Sequence, residues 1–267
     1  MKEGKLTKIL KSRDEIKYAI EKNKKLATRQ FGSGGYVSRE EDWGIYDSSL
    51  ENFGKSFSVT TPINVQSESH FLSPGMIWQK YIEDTLSRKD GASLTAVEFG
   101  GPGSRLFSGF TRNFFKKTLG VCLKDIRHEI DKNEDTAHNH SIICNDILDP
   151  DNKELFTQIK AELDSEGIDL IISRMSGPLR VIKRHPAILD RIIRNWYNLL
   201  NENGLMFIQF DYSALPGEFI YPKIVEWAEN IQRLHPEVEI QVERDSMRIH
   251  KTNGSPKILP PSSQLFD

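Results

Sequence analysis

The chain has 267 residues, of which 37% are hydrophobic and 28% charged, and its 36 basic and 38 acidic side chains leave a formal charge of −2. That length suits one large α/β domain or one ordinary domain with an appended segment, and the near-balance of charge lacks the polyelectrolyte signature of a nucleic-acid binder. Two cysteines, Cys122 and Cys144, are too few for a disulfide framework or a four-cysteine zinc site, and no apolar run approaches the roughly 18 residues of a spanning helix.

The N-terminal stretch MKEGKLTKILKSRDEIKYAI has no apolar h-region and no small-residue cleavage site, so a secretory signal is not expected and a cytoplasmic location is. Residues 1–30 carry ten basic and four acidic side chains. Leu6, Ile9, Leu10, Ile16, Ala19 and Ile20 recur at roughly helical spacing, which predicts one or two amphipathic helices with a basic outer face. That face reads as solvated surface or as a docking surface for an acidic partner. Residues 31–69 then turn rich in Gly, Ser and aromatics with little periodicity, which predicts a loop-rich segment. Its aromatic content favours a cover that packs on something over a disordered connector.

Ser73-Pro74 opens a predicted helix running to about residue 86, with Met76, Ile77, Tyr81, Ile82 and Leu86 on one face. Strands are then expected at 94–99, 119–123, 140–144, 168–172 and 205–210, with helices at 104–117, 154–163 and 187–200. Strands separated by helical crossovers of this size imply a parallel sheet covered on both faces. After a helix at 222–233, strands at 238–242 and 247–250 read as an antiparallel hairpin closing one sheet edge. The chain thus divides into an N-terminal helical and loop extension suited to a lid (1–72), an α/β domain (73–251) and a C-terminal tail (252–267).

The sharpest local signal is VEFGGPGSR at 97–105, between the first strand and its helix. Glycines there permit a tight turn and close approach to a ligand, and free N–H groups at a helix start favour an anion. A nicotinamide loop would follow G-x-G-x-x-G, but reading from Gly101 puts Leu106 where the third small residue belongs. Glu98 would repel a pyrophosphate, whereas beside a cationic ligand it attracts a sulfonium or ammonium group.

In these residues the sequence resembles the class I S-adenosylmethionine-dependent methyltransferases, whose first motif places an acidic residue shortly before a glycine-rich turn at the end of strand one. Downstream, GVCLKDIR (120–127) resembles the second strand with its acidic ribose-binding end, and IICNDILD (142–149) the third strand with the turn that receives adenine. DLIISRMSGPL (169–179) resembles the fourth strand and substrate-side loop, and LLNENGLMFIQ (199–209) the fifth strand. The resemblance implies a Rossmann-like seven-stranded sheet, mostly parallel with an antiparallel terminal hairpin and helices on both faces, and S-adenosylmethionine at the carboxyl ends of its strands.

Residue by residue, it implies that Gly100, Gly101 and Gly103 lie against the methionine moiety while Glu98 orients the turn or the amino group. Asp146 would accept from the adenine amino group, Ile147 would lie against the ring, and Ser173 would make a backbone contact after strand four. Pro102 stands where the family's turn has a glycine, and Cys122 aligns by spacing with the family's ribose-binding acid. The nearest carboxylate is Asp125, which reads either as that acid or as a helix cap or surface acid. Arg174, Asp211 and Tyr212 fall at the rim where an acceptor would sit.

His138 and His140 form an H-x-H that reads as surface loop, no metal site is expected, and both cysteines read as buried small hydrophobes. No catalytic residue is assigned, because displacement at an activated methyl group requires proximity before it requires a base. The Asn/Asp-Pro-Pro-aromatic motif of many amino methylases is replaced by SRMSGP, which favours a small-molecule methyl acceptor. The alternatives are a protein or RNA methyltransferase using the basic N-terminal face, or a non-catalytic interaction protein on the same fold.

Overall fold

The structure is a computed structural model that describes residues 49–62, 72–87, 93–122, 125, 127, 132–133, 135–136, 138–145, 147, 152–175, 186–210, 221–243 and 246–260. Seven strands, β1 (Thr95–Phe99), β2 (Lys117–Cys122), β3 (His140–Cys144), β4 (Ile168–Met175), β5 (Leu200–Phe210), β6 (Val238–Glu243) and β7 (Ser246–Lys251), pair in the order β3-β2-β1-β4-β5-β7-β6. The first five run parallel to one another, while β7 runs antiparallel to both β5 and β6. This is the mostly parallel seven-stranded sheet with an antiparallel terminal hairpin that the sequence resemblance implies.

Strand alternation sorts the core into two layers. Val97, Phe99, Leu119, Val121, Ile171, Met206 and Ile208 face a cluster completed by α4 (Lys153–Leu163), α5 (Pro186–Leu199) and α6 (Tyr221–Leu234). Ala96, Leu170, Ile172, Leu205 and Phe207 face the other way, onto α1 (Leu50–Phe57), α2 (Pro74–Leu86) and the short α3 (Ser104–Phe107). All five residues of β1 are buried, as a central parallel strand requires. Local signals set the helix ends: Ser73 Oγ accepts from Met76 N with Pro74 in the first turn, and Asn152 Oδ1 accepts from Leu155 N.

Three sequence expectations need correction. The helix expected over 104–117 ends at Phe107: Gly109 follows its cap residue Ser108, Asn113 takes a φ of 62°, and Phe110, Phe114 and Phe115 pack together in an irregular aromatic cluster. Met76 is half exposed, and Trp78 instead leads the buried face of α2. The segment expected to be loop-rich contains α1, followed by a 3-10 turn over Ser58–Thr60; residues 31–48 and 63–69 lie outside the described residues.

α1 belongs to the core. Phe53 and Phe57 are fully buried and stack on Trp78 at ring separations of 6.1 and 5.3 Å, while Phe57 also meets Phe207 of β5 at 5.2 Å. Gly54 and Gly75 let α1 and α2 approach backbone to backbone, since a Cβ on Gly54 would lie 2.4 Å from the Pro74 carbonyl oxygen. The buried Arg248 on β7 then fastens this layer, donating from Nε to Thr60 O (3.0 Å) and from Nη1 to Tyr81 Oη (2.8 Å). Ser246 Oγ adds a bond to Ser56 O at 2.7 Å.

Phe57→Ala is therefore expected to lower unfolding free energy by about 3–5 kcal/mol in urea titrations, the range for emptying a packed aromatic site. A segment merely lying over the surface would change it by less than about 0.5 kcal/mol.

Candidate functional site

The chain passes from β1 to β2 on one side and later from β3 to β4 on the other, so the order reverses between β1 and β4. In open α/β sheets ligands occupy the crevice outside the carboxyl ends of the strands at such a switch point. The glycine-rich turn leaves β1 there. Gly100 and Gly103 take φ values of 94° and 72°, a region open to glycine at little cost, and Gly100 N donates to Val121 O at 2.8 Å.

The turn lies flat on β2. A Cβ on Gly120 would sit 2.1 Å from the Pro102 carbonyl oxygen, so only glycine fits beneath it. The same carbonyl is paired with His140 Nε2 at 2.7 Å, and His140 Nδ1 is paired with Thr118 Oγ1 at 2.8 Å. The coherent assignment for a neutral ring is Nε2–H donating to Pro102 O while Thr118 Oγ1–H donates to Nδ1. His140 is thus the buried first residue of β3 and a prop for the turn, in contrast to the surface-loop reading; His138 is exposed. Among the described residues no His, Cys, Asp and Glu group is arranged to hold a metal.

Beneath the turn lies Glu98, only 2% exposed. A Cβ on Gly101 would meet its carboxylate oxygens at 2.3 and 2.8 Å, so the bare backbone of Gly101 is what admits this carboxylate under the turn. The helix start expected to favour an anion is limited to the four residues of α3, and an acidic side chain lies under the turn there.

At the end of β2, Cys122 is buried and its thiol is pushed up to about 12 by burial, with the charges of Cys144, Asp125 and Glu98 adding to the effect, so it stays protonated. Cys144 is exposed, against the expectation that both cysteines are buried. Asp125 is clamped by Arg127, whose Nε donates to Oδ1 at 3.0 Å and Nη2 to Oδ2 at 2.9 Å. Burial raises the Asp125 carboxyl, but the hydrogen bonds and charge of Arg127 outweigh it and hold the group below its ordinary value. Arg127 Nη1 also donates to Asp135 Oδ2, which accepts from Ser104 Oγ as well, both at 2.5 Å. This chain of polar groups joins the end of β2 to the first residue after the glycine turn.

Elsewhere on the rim, Ser173 Oγ donates to Phe99 O at 2.9 Å, tying β4 to β1 where both end. Arg174 Nε donates to Gln209 Oε1 at 3.0 Å, and its guanidinium carbon stands 5.2 Å over the Phe53 ring. Ile147 packs partly buried against the aliphatic core. Asp146, Asp211 and Tyr212 lie outside the described residues. No motif visible in the sequence gives a role to Arg127, Asp135, Ser104 or the Thr118–His140–Pro102 relay. The D-I-R spacing at 125–127 was the available sign, since a carboxylate two residues before an arginine in a turn is placed to pair with it.

No family model matches the chain, and no curated protein matches it. Solved structures do. MycE methyltransferase from the mycinamycin biosynthetic pathway, in complex with Mg and SAH, is 14% identical at a TM-score of 0.47, aligned over 77% of this chain and 54% of its own. An rRNA methylase from Streptococcus thermophilus is 13% identical at a TM-score of 0.41, over 68% of this chain and 99% of its own. A TehB-like SAM-dependent methyltransferase from Corynebacterium glutamicum is 15% identical at 0.38, over 64% and 87%. In two further crystals of MycE the match spans 48% and 46% of that protein, about half its length.

Gly120→Ala is expected to force the Pro102 carbonyl off the sheet and to lower unfolding free energy by about 1–3 kcal/mol, the usual range for overpacking, read as a fall in the urea midpoint. Burial holds His140 below its ordinary value, outweighing the Asp135 carboxylate and the Pro102 carbonyl, which pull the other way. The folded protein therefore keeps the ring neutral where the unfolded chain protonates it, and stability falls as pH drops from about 6.5 towards the folded value. Urea midpoints between about pH 7 and pH 5 are expected to fall less steeply in His140→Gln than in the native protein.

Proposed function

We propose that this protein binds S-adenosylmethionine and transfers its methyl group to a small-molecule acceptor. The observation that carries the reading is the buried carboxylate of Glu98 under Gly101, at the switch point of a class I methyltransferase sheet. A carboxylate held in that low-dielectric position favours a cationic ligand lying on the turn. The ligand's sulfonium supplies a methyl group already activated for in-line displacement. The chain's own contribution is then to bind, orient and exclude water.

Gly100, Gly101 and Gly103 give the bare backbone on which the methionine part would lie, and Glu98 holds that turn and attracts the ammonium group. Asp125 would receive the ribose, Asp146 the adenine amino group and Ile147 one face of the ring, with Ser173 holding β4 against β1. Arg174, oriented by Gln209 and Phe53, suits an acceptor bearing a carboxylate or phosphate, with Asp211 and Tyr212 completing the acceptor side. The extension 1–72, apart from the core helix α1, is read as the cover of the site, 73–251 as the catalytic domain and 252–267 as a tail. No helix among the described residues is long and apolar enough to cross a membrane, and the location proposed is the cytoplasm.

The ten basic side chains of residues 1–30 favour, as a second reading, an RNA or acidic protein as the acceptor. A binding protein without catalysis is the third.

Calorimetric titration with S-adenosylmethionine and S-adenosylhomocysteine is expected to give micromolar binding that both Gly101→Arg and Asp146→Ala abolish in folded protein. Labelled methyl transfer to small carboxylates or phosphates supports the first reading, whereas salt-sensitive transfer to RNA or protein supports the second. Absence of binding to folded native protein overturns both.

A further inference from the structure

Asp125 is a heavily subscribed acceptor. Its Oδ1 takes two hydrogen bonds from Arg127, one from the backbone N at 3.1 Å and one from Nε at 3.0 Å, and its Oδ2 takes one from Nη2 at 2.9 Å. A carboxylate offers about four lone-pair positions. Three are filled within the chain, and the vacancy is on Oδ2.

Arg127 is not placed to yield any of these. Its side chain is 9% exposed, and its third nitrogen, Nη1, is held by Asp135, a residue only 4% exposed. Asp135 in turn is fixed by Ser104 at the end of the glycine turn. Rotating the guanidinium away from Asp125 would therefore strip two carboxylates of their partner and release the link to α3, a change that a ligand hydroxyl, itself a neutral donor, is too weak to drive.

We propose that Arg127 is a positioning residue that restricts Asp125 to a single ligand hydroxyl, so that a bound nucleoside is recognised through one of its two ribose hydroxyls and not through both. The inference rests on the cofactor reading above and refines its ribose end. Where a free carboxylate would chelate the 2′,3′-diol with one oxygen per hydroxyl, this one accepts a lone donor at Oδ2. Tolerance of cofactor analogues modified at the other hydroxyl follows directly.

The test compares the affinities of S-adenosylhomocysteine and its 2′-deoxy and 3′-deoxy analogues, measured calorimetrically on the full chain. For native protein one deoxy analogue is expected to bind about tenfold more weakly than the parent, the loss of a single hydrogen bond to a charged group, and the other to bind within about twofold. In Arg127→Met the vacated positions on Asp125 admit the diol, and the two penalties are expected to converge. Arg127→Lys, which keeps the charge without the planar fork, serves where the methionine variant does not fold and is expected to shift the ratio in the same direction. A merely structural role for Arg127 would scale all three affinities by a common factor and leave the ratio unmoved, which overturns the proposal. Equal penalties, or none, in native protein overturn it as well while leaving the cofactor reading intact. Failure of folded native protein to bind S-adenosylhomocysteine at all overturns both.

Discussion

The turn after β1 lies flat on the sheet because Gly120 has no side chain. With the Pro102 carbonyl oxygen only 2.1 Å from where a Cβ would stand, contact between loop and strand is made through backbone, and the position of everything that follows is set by it. The carbonyl resting there is the one that pairs with His140, and the α-carbon of Gly101 is the one that covers Glu98. Ser104, the next residue but one after Pro102, is where the polar chain through Asp135 and Arg127 to Asp125 begins. A methyl group at one position of β2 therefore bears on the geometry of both halves of the crevice, although residue 120 is not itself assigned a ligand contact.

Two kinds of order meet at that crevice. On one side of the sheet the packing is aliphatic with Trp196 stacked on Phe99 at 4.5 Å, and it is contributed by helices that follow the strands in sequence. On the other side it is aromatic and is contributed mostly by α1 and α2, which precede every strand. The rim near Arg174 is built from both, since its guanidinium lies over Phe53 of α1 while its Nε is satisfied by Gln209 of β5. The rim near Arg174 is thereby shaped by a segment outside the repeating strand and helix pattern. This is the part of such a fold where specificity is free to vary, because the sheet does not constrain it.

The strands were legible because each is a short apolar run bounded by polar or glycine-rich connections, and the Ser73-Pro74 and Asn152 caps mark their helices directly. The truncation of α3 was less so. Leu106, Phe107, Phe110 and Phe114 recur at helical spacing, and periodicity does not register that Gly109 and a left-handed Asn113 turn the same side chains into a folded aromatic knot. α1 was obscured by its surroundings, as eight helical residues sit beside a stretch rich in Gly and Ser, and their helicity depends on tertiary burial of Phe53 and Phe57. In the crevice the glycines and Glu98 stood out as a local pattern. The Asp125–Arg127–Asp135–Ser104 chain spans 31 residues and arises only when β2 returns beside the turn, so apart from the D-I-R spacing nothing local announces it.

The bonds from Arg248 to Thr60 and from Ser246 to Ser56 join residues 188 and 190 apart in sequence. On a ribosome, α1 emerges before every strand and then waits for nearly two hundred residues before the strand that fastens it exists. Until β5 is made, Phe57 and Trp78 have no Phe207 to pack against, and their aromatic faces remain available to chaperones or to one another. Completion of this layer is a late, non-local event in folding, and the site rim that depends on Phe53 forms with it.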